Sequence, residues 1–463
     1  MRYLLLLLLT STSLAQTQLN ILFIAVDDLK PVMGCYGDKI ARTPNIDRLA
    51  ARGTVFTKAY CQWPVCGPSR ASLMTSLRPE ANGVMDLKTD VRAKNPAVIT
   101  LPQHFIQQGY TTAGCGKIYD PRCVDSKKDC DKPSWSLPFI TPKAKNADAE
   151  HEENAPAYAI AEGGDDDQTD GQIARTGIGL METLAAEKKP FFLAVGFKKP
   201  HLPFVAPKAY FDLYQPEKLP LATHSGGIEN DSGYVLHDSA ELRGYGGIPK
   251  TDPIPRQIQR EALHAYLACV SFVDAQVGRL IKQLDDLGLT QNTIVVLVGD
   301  HGFHLGDHGM WGKHSVLEHA ARVPLIVVPP AGSVMKENAS PVEFTDIFPT
   351  LCTLSRVPLP AGIAGRSLQP LIEGREKAVR EGALTVFQNK GTIGYSYRTG
   401  RHRYTEWVNK YGKTVAADLF DYKNDALETK NLIADPTQST LCKKLAALLR
   451  ADATGCERLF MKE

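Results

Sequence analysis

The sequence predicts an α/β protein: a large, mostly parallel sheet flanked by helices, followed by a smaller C-terminal α+β subdomain carrying an antiparallel sheet. Three observations lead there. Residues 20–26, 190–197, 293–299 and 325–328 are apolar runs without a charged residue, the pattern of strands buried on both faces. Helix-period stretches over 171–186 and 257–287 stand between such runs, as in alternating α/β chains. From about residue 376 the character changes, and 392–408 alternates apolar and polar residues like an antiparallel hairpin.

Composition narrows the function. The chain has 463 residues, 43% of them hydrophobic and 22% charged, with a formal net charge of +2. That length suits one large domain plus a smaller one. The near-neutral balance argues against a nucleic-acid binder driven by bulk charge. Met1-Arg2, the leucine run Leu4–Leu9 and the small residues Ser13-Leu14-Ala15 read as a secretory signal peptide over 1–15. The run is too short to span a bilayer, and no later stretch is long enough, so export to the periplasm or exterior without a membrane span is expected. Export permits disulfides. Of the ten cysteines, Cys123 with Cys130 and Cys442 with Cys456 are candidate local pairs. With Cys66 set aside nine remain, so at least one is free.

Taken in order, the strand 20–26 ends at Asp27-Asp28, where open α/β sheets place their ligands. Paired carboxylates there suit a hard cation, Ca²⁺ or Mg²⁺. Thr43, Pro44 and Gly53 are the expected cap, first turn and stop of a helix. Residues 54–60 read as a strand leading to Cys66-Gly67-Pro68-Ser69-Arg70, where a helix opens with Leu73, Met74 and Leu77 on its apolar face. Cys66 is thus expected at a helix N-terminus, a place favourable to anions, with Arg70 one turn on. A reactive sulfur and a small buried cysteine are both compatible with that position.

Residues 98–110 read as a helix and 111–116 as a strand that delivers Lys117. Residues 120–170 form an irregular excursion over the ligand face. The strand 190–197 ends in Lys198-Lys199-Pro200-His201, and a histidine past a strand end is a candidate for acid–base work. Residues 215–256 are loop-like. The helix 257–287 buries Leu263, Tyr266, Leu267, Val270, Val273, Val277, Leu280, Ile281 and Leu284, and Gly288 stops it.

The strand 293–299 ends in Asp300-His301-Gly302 and a loop to His314 holding His304, Asp307, His308 and Lys313. Asp300-His301 mirrors Asp27-Asp28, and together they could form the shell of one divalent cation. Residues 344–355 read as a helix interrupted near Pro349, 419–421 as a strand and 438–450 as a helix.

These motifs together resemble the type I sulfatases of the alkaline phosphatase superfamily. Cys66-Gly67-Pro68-Ser69-Arg70 matches the family signature, and Asp27-Asp28, Lys117, Lys199-Pro200-His201, Asp300-His301-Gly302 and Lys313 follow in the family's order. The resemblance runs from about residue 20 to Leu419…Leu432. Within the family it is strongest to the iduronate-2-sulfatase subgroup, through Val26–Pro31, Phe191–Gly196, Lys199–Phe204, Asp274–Leu280 and Asp300–Lys313. Two places depart: Met74-Thr75-Ser76 stands where the family signature usually reads Leu-Thr-Gly, and Asp120 stands three residues after Lys117, where that subgroup carries a histidine.

The resemblance implies a catalytic domain over 19–375 and the smaller subdomain over 376–463. It implies oxidation of Cys66 to formylglycine by a formylglycine-generating or anaerobic sulfatase-maturating enzyme. It implies Ca²⁺ held by Asp27, Asp28, Cys66, Asp300 and His301, with Mg²⁺ the lesser expectation. Asp300 would take the nucleophile's proton and Arg70 would hold the nucleophile. Lys117 and Lys313 would grip sulfate, His201 would protonate the departing oxygen, and Asp120 and His304 are further candidates to touch substrate. The implied activity is hydrolysis of sulfate esters on a glycan, exo-acting and of the iduronate type. A phosphonate or phosphodiester hydrolase of the same superfamily, or a non-catalytic secreted glycan-binding protein, are the alternatives.

Overall fold

A computed structural model describes residues 18–125, 130–144, 155–330 and 332–460. The expected signal peptide, 1–15, lies outside the described residues.

The central sheet has seven strands: β1 Asn20–Val26, β2 Thr54–Phe56, β3 Thr111–Gly116, β4 Phe191–Phe197, β5 Thr293–Gly299, β6 Leu325–Val328 and β7 Glu337–Asn338, in the order β7-β2-β6-β5-β1-β4-β3. All neighbours are parallel except at β6, which runs antiparallel to both β5 and β2. The sheet is therefore mixed but mostly parallel, as expected. Alternate residues of β1 serve two cores, because successive strand side chains point to opposite faces. Leu22, Ile24 and Val26 pack with the helices of one face, and Ile21, Phe23 and Ala25 with those of the other.

The helices used below are α1 Pro44–Ala50, α2 Cys66–Thr75, α3 Leu101–Gln107, α4 Thr169–Ala186, α5 Ala240–Arg243, α6 Arg256–Asp286, α7 Glu318–Ala321, α8 Ile347–Ser355 and α9 Ser439–Asp452. The buried stripe of α6 matches the expected one, with Ile281 only half-buried. All ten residues of α2 are buried, so it has no solvent face at all. The C-terminal sheet is four antiparallel strands, β8 Gly382–Asn389, β9 Thr392–Thr399, β10 His402–Val408 and β11 Thr414–Asp421, backed by α9. No helix among the described residues is long and apolar enough to cross a membrane.

Four expectations need correction. Thr43 does not cap α1 with its side chain; its Oγ1 instead accepts from Gly34 N at 3.1 Å and pairs with Asp47. Residues 54–60 are two short strands in different sheets. Pro349 does not interrupt its helix, because it lies in the first turn of α8, where no intrahelical N–H is required. All ten cysteines carry free thiols. The Cys123 thiol is turned to Asp86 O at 3.5 Å, and Cys130 lies by Trp135, whose Nε1 donates to Cys130 O at 2.8 Å.

Candidate active site

Four adjacent strands, β5, β1, β4 and β3, end level with one another. Val26 is in register with both Phe197 and Gly299, and Gly116 with Gly196. Their next residues are Asp27, Lys198, Asp300 and Lys117, so one edge of the sheet collects the motifs that the sequence scatters. Backbone bonds continue past the strands: Asp27 N to Phe197 O at 3.2 Å, Asp300 N to Val26 O at 3.1 Å and Lys117 N to Gly196 O at 2.7 Å. Gly196 is required there. A Cβ at that position would lie 2.0 Å from Lys117 O.

Arg70 joins the pieces from α2. Its Nη2 donates to Asp27 Oδ1 at 3.0 Å and its Nε to Asp300 Oδ2 at 2.9 Å, with all three side chains fully buried. Ser69 Oγ donates to Asp300 O, fixing the helix start against the end of β5. Asp28 adopts φ 59°, which directs its N–H to Asp300 Oδ1 at 3.0 Å. Lys117 Nζ pairs with Asp27 Oδ2, and Lys313 Nζ contacts both Asp28 oxygens at 3.1 and 3.0 Å. Lys313 returns to the site on a small hairpin formed by 304–305 and 311–312.

Cys66 is at the first residue of α2, as expected. Its Sγ lies 3.2 Å from His301 Nε2 and 4.0 Å from Asp28 Oδ1. His301 Nδ1 faces Gly302 O at 2.9 Å, a carbonyl that can only accept, so the proton sits on Nδ1 and the Nε2 lone pair faces the cluster.

The site's charges are strongly perturbed. Burial would raise the Asp27 carboxyl, but Lys117 and Arg70 hold it well below its ordinary range. Burial raises Asp28 well above that range, helped by Asp27, Glu241 and Asp300 against the pull of Lys313. Burial pushes Asp300 up to about 7 despite Arg70. His301 is depressed by burial and by Lys313, so it stays neutral. Burial, then the charge of Asp27, raises the Cys66 thiol well above its usual value. A thiol so raised is not a thiolate at neutral pH and is a poor nucleophile as encoded.

This donor set fits a divalent cation. One ligand atom from each of Asp27, Cys66, Asp300 and His301 lies within 4.8 Å of the others, and the same is true of Asp27, Asp28, Cys66 and His201. Three buried carboxylates and a neutral imidazole with its lone pair inward are hard, oxygen-rich ligands of the kind Ca²⁺ and Mg²⁺ take. Among the described residues the permanently charged partners of Asp27, Asp28, Asp300 and Glu241 are Arg70, Lys117 and Lys313, so added positive charge is favourable.

His201 is partly exposed. Its turn is held by Asp170 at the start of α4, which accepts from Lys198 N at 2.8 Å and Lys199 N at 2.7 Å. Nδ1 of His201 faces Leu202 O, leaving Nε2 as the working nitrogen. Burial, Lys313 and Lys117 lower its pKa to about 4, against Asp27 and Glu241. Asp120 is buried and locked by Arg122, through Oδ1 to the Arg122 backbone N (3.0 Å) and Nε (2.8 Å), and Oδ2 to Nη2 at 2.7 Å. Burial works against its ionisation, but Arg122 and Lys117 win and lower its pKa. His304 is fully buried among the rings of His237, His308 and His319, and both of its nitrogens lack a hydrogen-bond partner among the described residues.

Sequence reasoning missed Glu241, Asp170 and Arg122. Glu241, on α5, accepts from Lys313 Nζ at 2.8 Å. Nothing in its local sequence separates it from Glu229, Asp231 or Asp238 in the same loop. Arg122 had a signal, its place two residues from Asp120.

Together these residues form a buried, cation-type nest around a helix-start cysteine, at the carboxyl ends of parallel strands, with lysines and a histidine facing it. The chain belongs to the sulfatase family, whose model matches residues 19–357, and a model for the C-terminal region of N-sulphoglucosamine sulphohydrolase matches 306–454. It is 30% identical to iduronate 2-sulfatase of Mus musculus, over 93% of this chain and 94% of that protein, and 30% identical to the Homo sapiens enzyme over 90% and 91%. A protein named sulfatase from Formosa agariphila is 31% identical over 84% of this chain and 78% of its own length. Among solved structures, one in complex with its substrate D-glucosamine-2-N,6-O-disulfate superposes with TM-score 0.76 at 22% identity, covering 96% of this chain and 99% of that one. The phosphonate monoester hydrolase of Agrobacterium radiobacter gives 0.78 at 21%, covering 94% and 96%. These two show the fold alone. The chain is a sulfuric ester hydrolase by family.

Proposed function

We propose that this protein hydrolyses sulfate esters of a saccharide, exo-acting on 2-O-sulfated uronate-type sugars, and that it does so after export and after oxidation of Cys66 to formylglycine by a maturating enzyme. The observation that carries the reading is Cys66 Sγ, 3.2 Å from His301 Nε2 and inside the carboxylate nest. The raised thiol adds support, since the encoded residue is chemically idle and an oxidised one would not be. The names of the iduronate 2-sulfatases support the substrate class. Met1–Ala15 supports export.

Asp27, Asp28, Asp300 and His301 would hold Ca²⁺, which supplies positive charge at the reacting oxygens when bound. Formylglycine at position 66 would supply a hydrated aldehyde, whose one hydroxyl is a nucleophile for sulfur and whose second, on losing its proton, would expel sulfate by C–O cleavage and restore the aldehyde. The chain's own residues do the rest. Asp300 accepts the proton of the attacking hydroxyl. Arg70 fixes the Asp27 and Asp300 carboxylates, and Lys117 and Lys313 hold sulfate oxygens by charge-assisted bonds. His201 Nε2 delivers a proton to the departing sugar oxygen. Its low pKa in isolation rises when the sulfate anion arrives beside it.

The test is ester hydrolysis by protein co-produced with a maturating enzyme, read as sulfate release from the saccharide and as 4-nitrophenol release from the two aryl esters. The substrates are a 2-O-sulfated iduronide, 4-nitrophenyl sulfate and bis(4-nitrophenyl) phosphate. Preference for the saccharide supports the reading. Preference for the phosphate diester would overturn it.

A further inference from the structure

The helix α5 brings a carboxylate to the sugar side of the site. Glu241 Oε1 lies 2.8 Å from Lys313 Nζ and 3.8 Å from His201 Nε2. These are the groups that would hold the ester sulfate and face the departing oxygen. A carboxylate so close to both borders the first ring atoms of the leaving group. Its other oxygen, Oε2, is buried, with no hydrogen-bond donor among the described residues and His314 Nδ1 4.0 Å away, so the exposed part of the carboxylate is on the Oε1 side. The side chain is 20% exposed, so it forms part of the wall. Burial opposes its charge, but Lys313, His201 and His314 hold it ionised, with a pKa of about 2. A carboxylate oxygen has two lone pairs, so Oε1 can accept from a hydroxyl or ammonium beside its bond to Lys313, and the negative charge repels a second anion.

We infer that Glu241 is a specificity-determining residue, which accepts a hydrogen bond from a hydroxyl or amine on the ring carbon beside the sulfate ester and excludes sugars carrying another sulfate or a carboxylate there. The inference rests on the reading of this site as a saccharide sulfatase. A site built to bind a substrate hydroxyl rejects the analogue that lacks it, because its buried acceptor is then left unpaired.

The test is a cycle of kcat/KM values for the mature enzyme and its Glu241→Ala variant. The substrates are a 2-O-sulfated iduronide with a free 3-hydroxyl, its 3-deoxy analogue and 4-nitrophenyl sulfate. Wild type should lose about 10–100-fold on removal of the hydroxyl, the range for a bond to a charged group. The variant should be nearly indifferent to it, so the two deletions are non-additive. Glu241→Gln, which keeps the shape and a neutral acceptor, should recover part of the preference. Additive losses overturn the inference, as does a fall on all three substrates in one proportion; either reduces Glu241 to a support for Lys313. If wild type cleaves the aryl sulfate but neither saccharide, the proposed substrate and this inference fall together. Saccharide turnover with additive losses removes the inference alone.

Discussion

Cys66 Sγ and His301 Nε2 stand 3.2 Å apart, with the other nitrogen of the ring committed to Gly302 O. The contact joins the start of α2 to the end of β5. Cys66, the residue proposed to be modified, and an imidazole with its lone pair inward therefore share one centre. Cys66→Ala should abolish sulfate release. Because the thiol makes no strong hydrogen bond, stability should fall by only about 1–2 kcal/mol. Thermal unfolding and turnover on matched samples check this. Near-normal hydrolysis by the variant would sink the formylglycine reading.

Metal removal should act on both activity and stability. Asp28 and Asp300 are pushed up by burial in a cluster short of positive charge. Exhaustive chelation should therefore lower the melting temperature and stop turnover, and Ca²⁺ should restore both better than Mg²⁺. A bound ion stabilises only the fold that binds it, so the shift should grow with metal concentration. Unchanged melting and activity after chelation would refute the ligand assignment.

The strand ends were legible in the sequence because buried parallel strands are long uncharged runs, and the first polar residue after each is conspicuous. Asp27 and Asp300 were readable on that ground, whereas Lys117 and His201 took their roles from the order of the motifs. The motif signature also put Cys66 at its helix start. Glu241 was not legible, because it lies in a loop whose fold depends on distant contacts and its neighbours include equally acidic residues. Asp170 was hidden for a different reason: its role is to accept two backbone N–H groups at 198–199, and pairing across that distance leaves no local pattern. The cysteine pairs were misjudged because sequence proximity says nothing about where a thiol points.

Gly196→Ala should impair turnover without touching any charged group. The added Cβ would meet Lys117 O and C at 2.0 and 2.2 Å, and backbone cannot give way as a flexible side chain can. The end of β3 must shift, and Lys117 Nζ moves off Asp27. A misplacement of about 1 Å in a positioning group can cost on the order of 100-fold in rate. The loss should be the same for aryl and saccharide sulfates, because sulfate is common to both. Wild-type rates in this variant would show that Lys117 is not placed by that contact.

Glu318 ties the C-terminal sheet to the catalytic centre. Its Oε2 accepts from Arg398 Nε on β9 at 3.1 Å and from Arg403 Nη2 on β10 at 2.6 Å, and its Oε1 from Tyr60 OH at 3.0 Å. It opens α7, whose Ala320 O accepts from Gly302 N at 2.8 Å, beside His301. Burial opposes the charge of Glu318, but Arg398 and Arg403 outweigh it and hold its pKa well below the ordinary carboxylate range. A depressed folded-state pKa means stability that is complete above the unfolded value of about 4.3 and is lost as pH falls toward the folded one. Glu318→Gln should therefore cost about 3 kcal/mol at pH 7, the scale for breaking a buried ion pair. The gap between wild type and variant should stay constant from pH 7 to about 5 and narrow on further acidification. Denaturant unfolding at several pH values measures it. A gap that widened toward acid pH would show that Glu318 is not the ionised partner. Metal affinity should fall with the same substitution, because the turn that presents His301 is anchored through α7.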